Sequence, residues 1–258
     1  MAYDTLERPL RDVSGFSIGA VFARCLRTYR RRFVPFVLVA FAAAVPLEIG
    51  LIMAFAAMVT RYKILSNPVE FRSFVAPAAG MLIYLAFYLA QSALFSGAYR
   101  DMSGDAPALG RSVRDGLVRL PIVVAAVIVS WLAVGIGWVA LAIPGIIIFT
   151  MTAITVPACV IERLGPLAAM SRSIALTKGH RWRILAIYLI EFIGGYGSFV
   201  GAQVLLEQLL PDALASIILL GLQAALIAFT AVLNTAVYFE LRSAKDGVAG
   251  DHIATVFD

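Results

Sequence analysis

Two carboxylates stand where a charge is most costly. Glu48 lies 15 residues beyond Phe33, and Glu191 nine residues beyond Trp182, each inside a long apolar run. If those runs cross a bilayer, an ionised side chain at the centre costs about 2.5–3.5 kcal/mol on insertion scales. No Lys, Arg or His falls within any apolar run, so no cation from a span can neutralise either acid. Each must be protonated, hold a cation, or be satisfied by neutral polar groups. Tyr84, Tyr88, Gln91, Thr150, Thr152, Thr155, Tyr196, Gln223, Thr230 and Asn234 are the candidates for that role. Burial raises a carboxyl pKa. Three chemistries are open to these residues: a neutral acid hydrogen-bonded between helices, a proton or cation site, or a group that recognises substrate.

A second set of residues is basic. Arg172, Lys178, His180, Arg181 and Arg183 gather at the start of the run that holds Glu191, with Trp182 among them as an interfacial anchor. Such a patch sets topology. Anionic headgroups also attract it at about 1 kcal/mol per basic side chain, which makes lipid phosphate its candidate ligand. A third set is small: Gly194, Gly197 and Gly201, answered in the next run by Gly221 and Ala225 and by Ala224 and Ala228. Small residues four apart let helix backbones approach closely. They predict a contact between the last two spans, with dimerisation or a sliding transport interface as alternatives.

Other chemistry is poorly supplied. His180 and His252 are the only histidines, and neither has cysteine or carboxylate neighbours at metal-ligand spacing. Cys25 and Cys159 offer no disulfide framework and suit two small buried apolar positions. No glycine-rich phosphate loop and no serine elbow is present. No catalytic residue, metal or cofactor is expected, and the chain is not expected to be an enzyme.

The elements that must position these groups follow from composition. Of 258 residues, 61% are hydrophobic and 14% charged, with a mean hydropathy of +0.90. A soluble domain carries about 25% charged residues, so lipid must be the solvent for much of this surface. The net charge of +5 comes from residues that flank apolar runs, with no basic tract interleaved with aromatics. Nucleic acid is therefore not an expected partner. A span needs about 20 mostly apolar residues. Phe33–Thr60, Ser73–Tyr99, Ile184–Leu206 and Ala213–Phe239 each qualify, and Pro121–Ile161, uncharged for 41 residues, is long enough to fold back on itself. Ala142-Ile143-Pro144-Gly145 is the expected turn, because Pro cannot continue a helix and Gly accepts the conformation that ends one. Backbone groups in lipid must be satisfied within their own segment, so the runs are helices. Arg30-Arg31-Arg32 followed by apolar and small residues imitates a signal peptide, but the apolar run continues past Pro46 and predicts an uncleaved anchor.

Orientation follows from Lys and Arg. Eighteen fall before the first span, in the two long even loops and in the tail, against three (Arg61, Lys63, Arg72) on the opposite side. That asymmetry predicts cytoplasmic N- and C-termini. Each hairpin is also preceded by a short Arg-rich amphipathic segment. Ile18, Val21, Phe22, Cys25, Leu26 and Tyr29 share one face of the first; Leu109, Val113, Leu117 and Leu120 mark the second; Leu167, Met170 and Ile174 mark the third. Arg24, Arg114 and Arg172 occupy similar places in the three.

Two phrases in the sequence resemble a known family. The first runs through Ile143-Pro144-Gly145, Val156-Pro157, Val160-Ile161-Glu162-Arg163-Leu164-Gly165, Arg172-Ser173 and Leu176-Thr177-Lys178-Gly179-His180-Arg181-Trp182. The second is Tyr238-Phe239-Glu240-Leu241-Arg242 with Asp246-Gly247, where Glu240 stands in place of the family's usual Asp. Together they resemble bacterial six-helix proteins related to the membrane domain fused to some glycerophosphodiester phosphodiesterases. The soluble phosphodiesterase domain has no counterpart in this sequence, so the resemblance does not imply hydrolysis.

The expectation is an all-α integral membrane protein of the bacterial inner membrane. It has six transmembrane helices as three hairpins, each preceded by a short basic amphipathic interfacial helix. Residues 1–32 form a cytoplasmic segment with the first interfacial helix, 33–240 the six-helix membrane domain and 241–258 a cytoplasmic tail. The expected function is a scaffold or accessory component that organises anionic lipid headgroups or membrane protein partners. The alternative is a small-solute or proton-coupled transporter using Glu48 and Glu191.

Overall fold

The computed structural model describes residues 16–42, 45, 72–104 and 109–257. Glu48, the greater part of the first expected span and the loop holding Arg61 and Lys63 lie outside the described residues. Those described form helices joined by turns, with no strand among them. Helix α1 spans Ile18–Arg31. The short apolar α2 spans Phe33–Ala42. The chain continues as α3 (Arg72–Met102), α4 (Leu109–Ala140), α5 (Ala142–Thr152), α6 (Thr155–Ile161) and α7 (Pro166–Thr177). It ends as α8 (Arg181–Glu191), a π-helical turn (Phe192–Tyr196), α9 (Gly197–Leu209) and α10 (Asp212–Phe257).

Among the described residues, four helices are long and apolar enough to cross a membrane: Gly116–Val139, Ile143–Ile161, Arg181–Leu209 and Asp212–Asp246. The second is α5 and α6 together, broken by a turn at Ala153–Ile154. The third is α8 and α9 joined through the π-turn, 29 residues or about 43 Å at 1.5 Å per residue.

The reversal between α4 and α5 is centred on one residue. Leu141 is extended (φ −179°, ψ 156°), and α5 begins at once with Ala142. Pro144 therefore sits in the first turn of α5, where its missing N–H leaves no intrahelical bond unmade. Gly145 packs on the Trp138 ring so closely that an added Cβ would lie 2.9 Å from it, and one on Gly137 would lie 3.0 Å from the Gly145 Cα. These two glycines make the hairpin tight.

Three sequence expectations change. The second amphipathic segment is not a separate helix, since α4 runs from Leu109 to Ala140 with Pro121 inside it. Proline removes one backbone donor and can kink a helix, but neighbouring packing can hold it in line. Arg114 consequently differs from Arg24 and Arg172: it is exposed and pairs with no acid among the described residues. The expected tail also begins inside a helix, because α10 runs unbroken for 46 residues, Asp212–Phe257. Third, the small-residue contact between the last two spans takes another line. An added Cβ would meet nothing within 4 Å at Gly194, Gly197, Gly201 or Gly221, whereas at Gly195 it would touch Leu226 at 3.7 Å. The half-buried positions are instead Gly195, Phe199, Ala202, Gln203 and Leu206.

The core gathers around one half of α10. Ala231, Val232, Leu233, Ala236, Val237, Tyr238 and Leu241 are buried there, and α1, α3, α6, α7 and α9 pack on that helix. Ala224 and Ala228, expected as contact residues, are fully buried on it, while Ala225 is half-buried and its carbonyl accepts the Tyr29 hydroxyl at 2.9 Å.

Candidate functional site

Every even apolar run ends on an acid: Asp101 closes α3, Glu162 follows α6 and Glu240 lies in the buried half of α10. The fold brings an arginine to each. Arg24 on α1 donates to Glu240 at 2.6 Å and lies 4.3 Å over the Phe239 ring. Arg32, in the turn between α1 and α2, donates to Asp101 at 3.0 Å, with Arg31 at 3.9 Å from the same oxygen. Arg172 on α7 donates through Nε to both oxygens of Glu162, at 2.9 and 3.0 Å, and through a terminal nitrogen to Asp246 at 2.7 Å. Arg242 reaches Asp246 at 3.4 Å and the Tyr99 hydroxyl at 2.9 Å, and the Tyr238 hydroxyl donates to Glu162.

Together these contacts form an ionic clasp. It fastens the two basic amphipathic helices, α1 and α7, to the ends of α3 and α6 and to the buried stretch of α10. The Ser173 hydroxyl strengthens the α7 attachment by donating at 2.7 Å to the Met151 carbonyl, beside the break between α5 and α6. Burial works against the charge of Arg172, but its hydrogen bonds to Glu162 and Asp246 outweigh that effect and hold the guanidinium above its ordinary value. Arg172 was a candidate for lipid phosphate by sequence; here two carboxylates of its own chain occupy it.

The rest of the basic cluster divides. Arg183 donates at 2.6 Å to the Phe16 carbonyl, which ties α8 to the start of α1. His180 packs on the Phe16 ring at 5.2 Å. Burial, then Arg183 and Lys245, lower its pKa and favour the neutral imidazole. Lys178 is exposed, Arg181 half-buried, and neither pairs with an acid among the described residues. Trp182 is 80% exposed at the mouth of the span.

A second polar set lies deeper, between α8 and α10. The Tyr188 hydroxyl donates to the Asn234 side-chain oxygen, with Glu191 one turn along α8 and Thr230 one turn back along α10. The spacing of three residues on α8 and four on α10 stacks these as two rungs on facing helices. Burial pushes the Cys25 thiol of α1 up to about 12, which leaves it protonated and inert. Among the described residues no group of three or more His, Cys, Asp and Glu could hold a metal ion.

Sequence reasoning singled out Glu191, Thr230 and Asn234, and quoted Glu162, Tyr238, Glu240 and Asp246 only within the family-like phrases. It passed over Asp101 and Arg32. The available signal was positional: an acid at or just past the end of each even apolar run, with arginines on or directly after the amphipathic segments to meet it. No family model, no curated protein and no solved structure matches this chain.

Proposed function

We propose that this chain is a six-span bacterial inner-membrane protein of three hairpins, with both termini cytoplasmic, that acts as a non-enzymatic scaffold organising anionic lipid or partner membrane proteins. The observation that carries this reading is the clasp. It consumes Arg24, Arg32 and Arg172 internally and so holds two basic amphipathic helices rigidly at one end of the spans. Arg27, Arg30 and Lys178 remain exposed there, paired with no acid among the described residues. A rigid row of cations beside apolar spans suits the negative surface of a cytoplasmic leaflet. The two family-like phrases also meet, through Tyr238 with Glu162 and Arg172 with Asp246. Their contact is in keeping with a single unit resembling the membrane domain of certain glycerophosphodiester phosphodiesterases.

The test is the composition of co-purifying lipid. Changing Arg27, Arg30 and Lys178 together to Gln leaves the clasp intact and removes three surface charges. At about 1 kcal/mol per charge, retention of phosphatidylglycerol and cardiolipin relative to phosphatidylethanolamine should fall severalfold. Unchanged headgroup ratios in mass spectra of the purified variant would defeat the lipid arm of the proposal.

A further inference from the structure

We propose that the break between α5 and α6 is a buried water site, where the Thr155 hydroxyl and main-chain groups left open by Pro157 hold ordered water inside the helix. The inference does not depend on the scaffold reading. Ile154 lies 11 residues beyond Ile143 in the apolar stretch Ile143–Ile161, and both it and Thr155 are fully buried. A main-chain N–H or C=O at that place needs a partner, because bulk water does not reach it.

Several groups at the break lack one. Pro157 has no N–H, so the Ala153 carbonyl loses the donor that a regular helix supplies four residues on. The chain turns at Ala153–Ile154, where Ile154 leaves helical geometry (φ −106°, ψ 17°). Neither Ala153 nor Ile154 donates a main-chain hydrogen bond among the described residues, so the Thr150 carbonyl also goes without its helical donor. Side chains repair only the edges of this gap. The Thr152 hydroxyl donates to the Ile148 carbonyl at 3.0 Å, that of Thr150 to the Ile147 carbonyl at 2.8 Å, and Ser173 crosses from α7 to Met151. At the gap itself the Thr155 hydroxyl has no partner. Ser130 on α4, its hydroxyl oxygen also buried and unpartnered, stands level with the break. It lies seven residues before Gly137, as Thr152 lies seven after Gly145, and those two glycines pack together. Helix α4 packs on both α5 and α6.

The mixture of open groups selects the ligand. The N–H groups of Ala153 and Ile154 would repel a metal cation, and the carbonyls of Thr150 and Ala153 would repel an anion. Water donates and accepts at once, and it inserts into the main-chain ladder of kinked helices in this way. Held by water, the break joins two rigid parts: the α4–α5 hairpin before it and, through Glu162, the clasp after it.

The sign of one substitution tests the site. Thr155→Val removes the hydroxyl and keeps the shape of the side chain. If the hydroxyl holds water, the melting temperature of the full chain in nanodiscs should fall by about 2–4 °C. A buried hydroxyl with nothing bound is better replaced by a methyl group, so an unchanged or raised melting temperature overturns the proposal. Hydroxyl-radical footprinting reads the water itself, since radicals formed from bound water oxidise the side chains beside it. Ile154 is the probe, and Ile187, equally buried in the regular helix α8, is the reference. Ile154 should be oxidised severalfold more than Ile187 in the parent and in Thr155→Ser, and no more than Ile187 in Thr155→Val. Equal oxidation of the two isoleucines in the parent overturns the proposal. So does a melting temperature that is higher in sodium chloride than in choline chloride at the same concentration, which would assign the break to a cation.

Discussion

Glu162 and Glu191 are the same residue in two regions of one molecule, and their surroundings make them different groups. Glu162 stands at the end of α6, where Arg172 donates to both its oxygens and Tyr238 adds a hydroxyl. Glu191 stands half-buried inside an apolar helix, and no ion pair reaches it among the described residues. The regions also differ in packing. In the most apolar stretch of Ile143–Ile161, which leads to Glu162, half the residues are buried; in that of Arg181–Leu209 the figure is 11%. The clasp end is a solid core held by charge, and the Glu191 region is a helix with an exposed outer surface. An acid's role in this fold is decided by what the tertiary structure brings to it, and the same substitution should therefore have opposite consequences in the two places.

The largest effect tests that contrast directly. Glu162→Gln takes the negative partner from Arg172 and one acceptor from Tyr238. Hydrogen bonds to charged groups contribute about 1.5–3 kcal/mol, and for a chain of this size about 2 kcal/mol lowers the melting temperature by roughly 4–8 °C. Glu191→Gln keeps a donor and an acceptor in the same shape, so its stability change should stay within about 0.6 kcal/mol. Arg172→Ala should match Glu162→Gln, and the double variant should lose little more than either alone. Equal shifts for the two glutamine variants in a detergent melt would erase the distinction between the regions.

The next effect sharpens the packing side of the comparison. At Gly116, where α4 crosses α3, an added Cβ would lie 2.5 Å from the Ser92 hydroxyl oxygen, which is buried and donates to the Leu89 carbonyl at 2.8 Å. Gly116→Ala should cost about 1–3 kcal/mol through overpacking. Gly194→Ala, Gly197→Ala and Gly201→Ala meet nothing within 4 Å. Each should be neutral or stabilise by up to about 0.5–1 kcal/mol, since glycine in a helix interior is less favourable than alanine. Destabilisation by the three alanines would mean that another chain covers this face.

The smallest effect is the pH dependence near the clasp. Burial, Arg183 and Lys245 lower the His180 pKa in the folded protein. The unfolded chain therefore binds more protons below its ordinary value of 6.5, and stability rises with pH across that window. Above the unfolded pKa the contribution is zero. As pH falls through the folded pKa the native state is penalised in full. Melts of the parent should decline on acidification from neutral pH before the carboxylates titrate, and His180→Asn should flatten that decline. A parallel decline in both proteins would assign it to another group.

Much of the layout was written in local sequence. Apolar runs of span length, the break between α4 and α5 and the isolation of Glu191 from any basic residue in its run are properties of neighbours along the chain. Lipid requires each segment to satisfy its own backbone, so hydropathy and proline alone placed them. The amphipathic face of α1 was legible for the same reason, as a 3.6-residue period; that of α7 was not, because Leu167, expected inward, is 71% exposed and Ala169, Ser173, Leu176 and Thr177 are buried instead. The pairings were not. Arg24 and Arg172 looked equivalent to Arg114, yet only the first two meet carboxylates, because the partners lie 216 residues away for Arg24 and 10 and 74 away for Arg172. Gly194, Gly197 and Gly201 looked like a contact, yet an added Cβ at any of them meets nothing within 4 Å, while one at Gly195 meets Leu226 at 3.7 Å. Sequence determined which segments are long and apolar enough to cross a membrane, because that depends on composition over about 20 residues. Only tertiary structure decided which charges are spent inside the protein and which remain for a ligand, because hydrogen bonds and ion pairs act over a few ångströms between residues that the chain itself holds far apart.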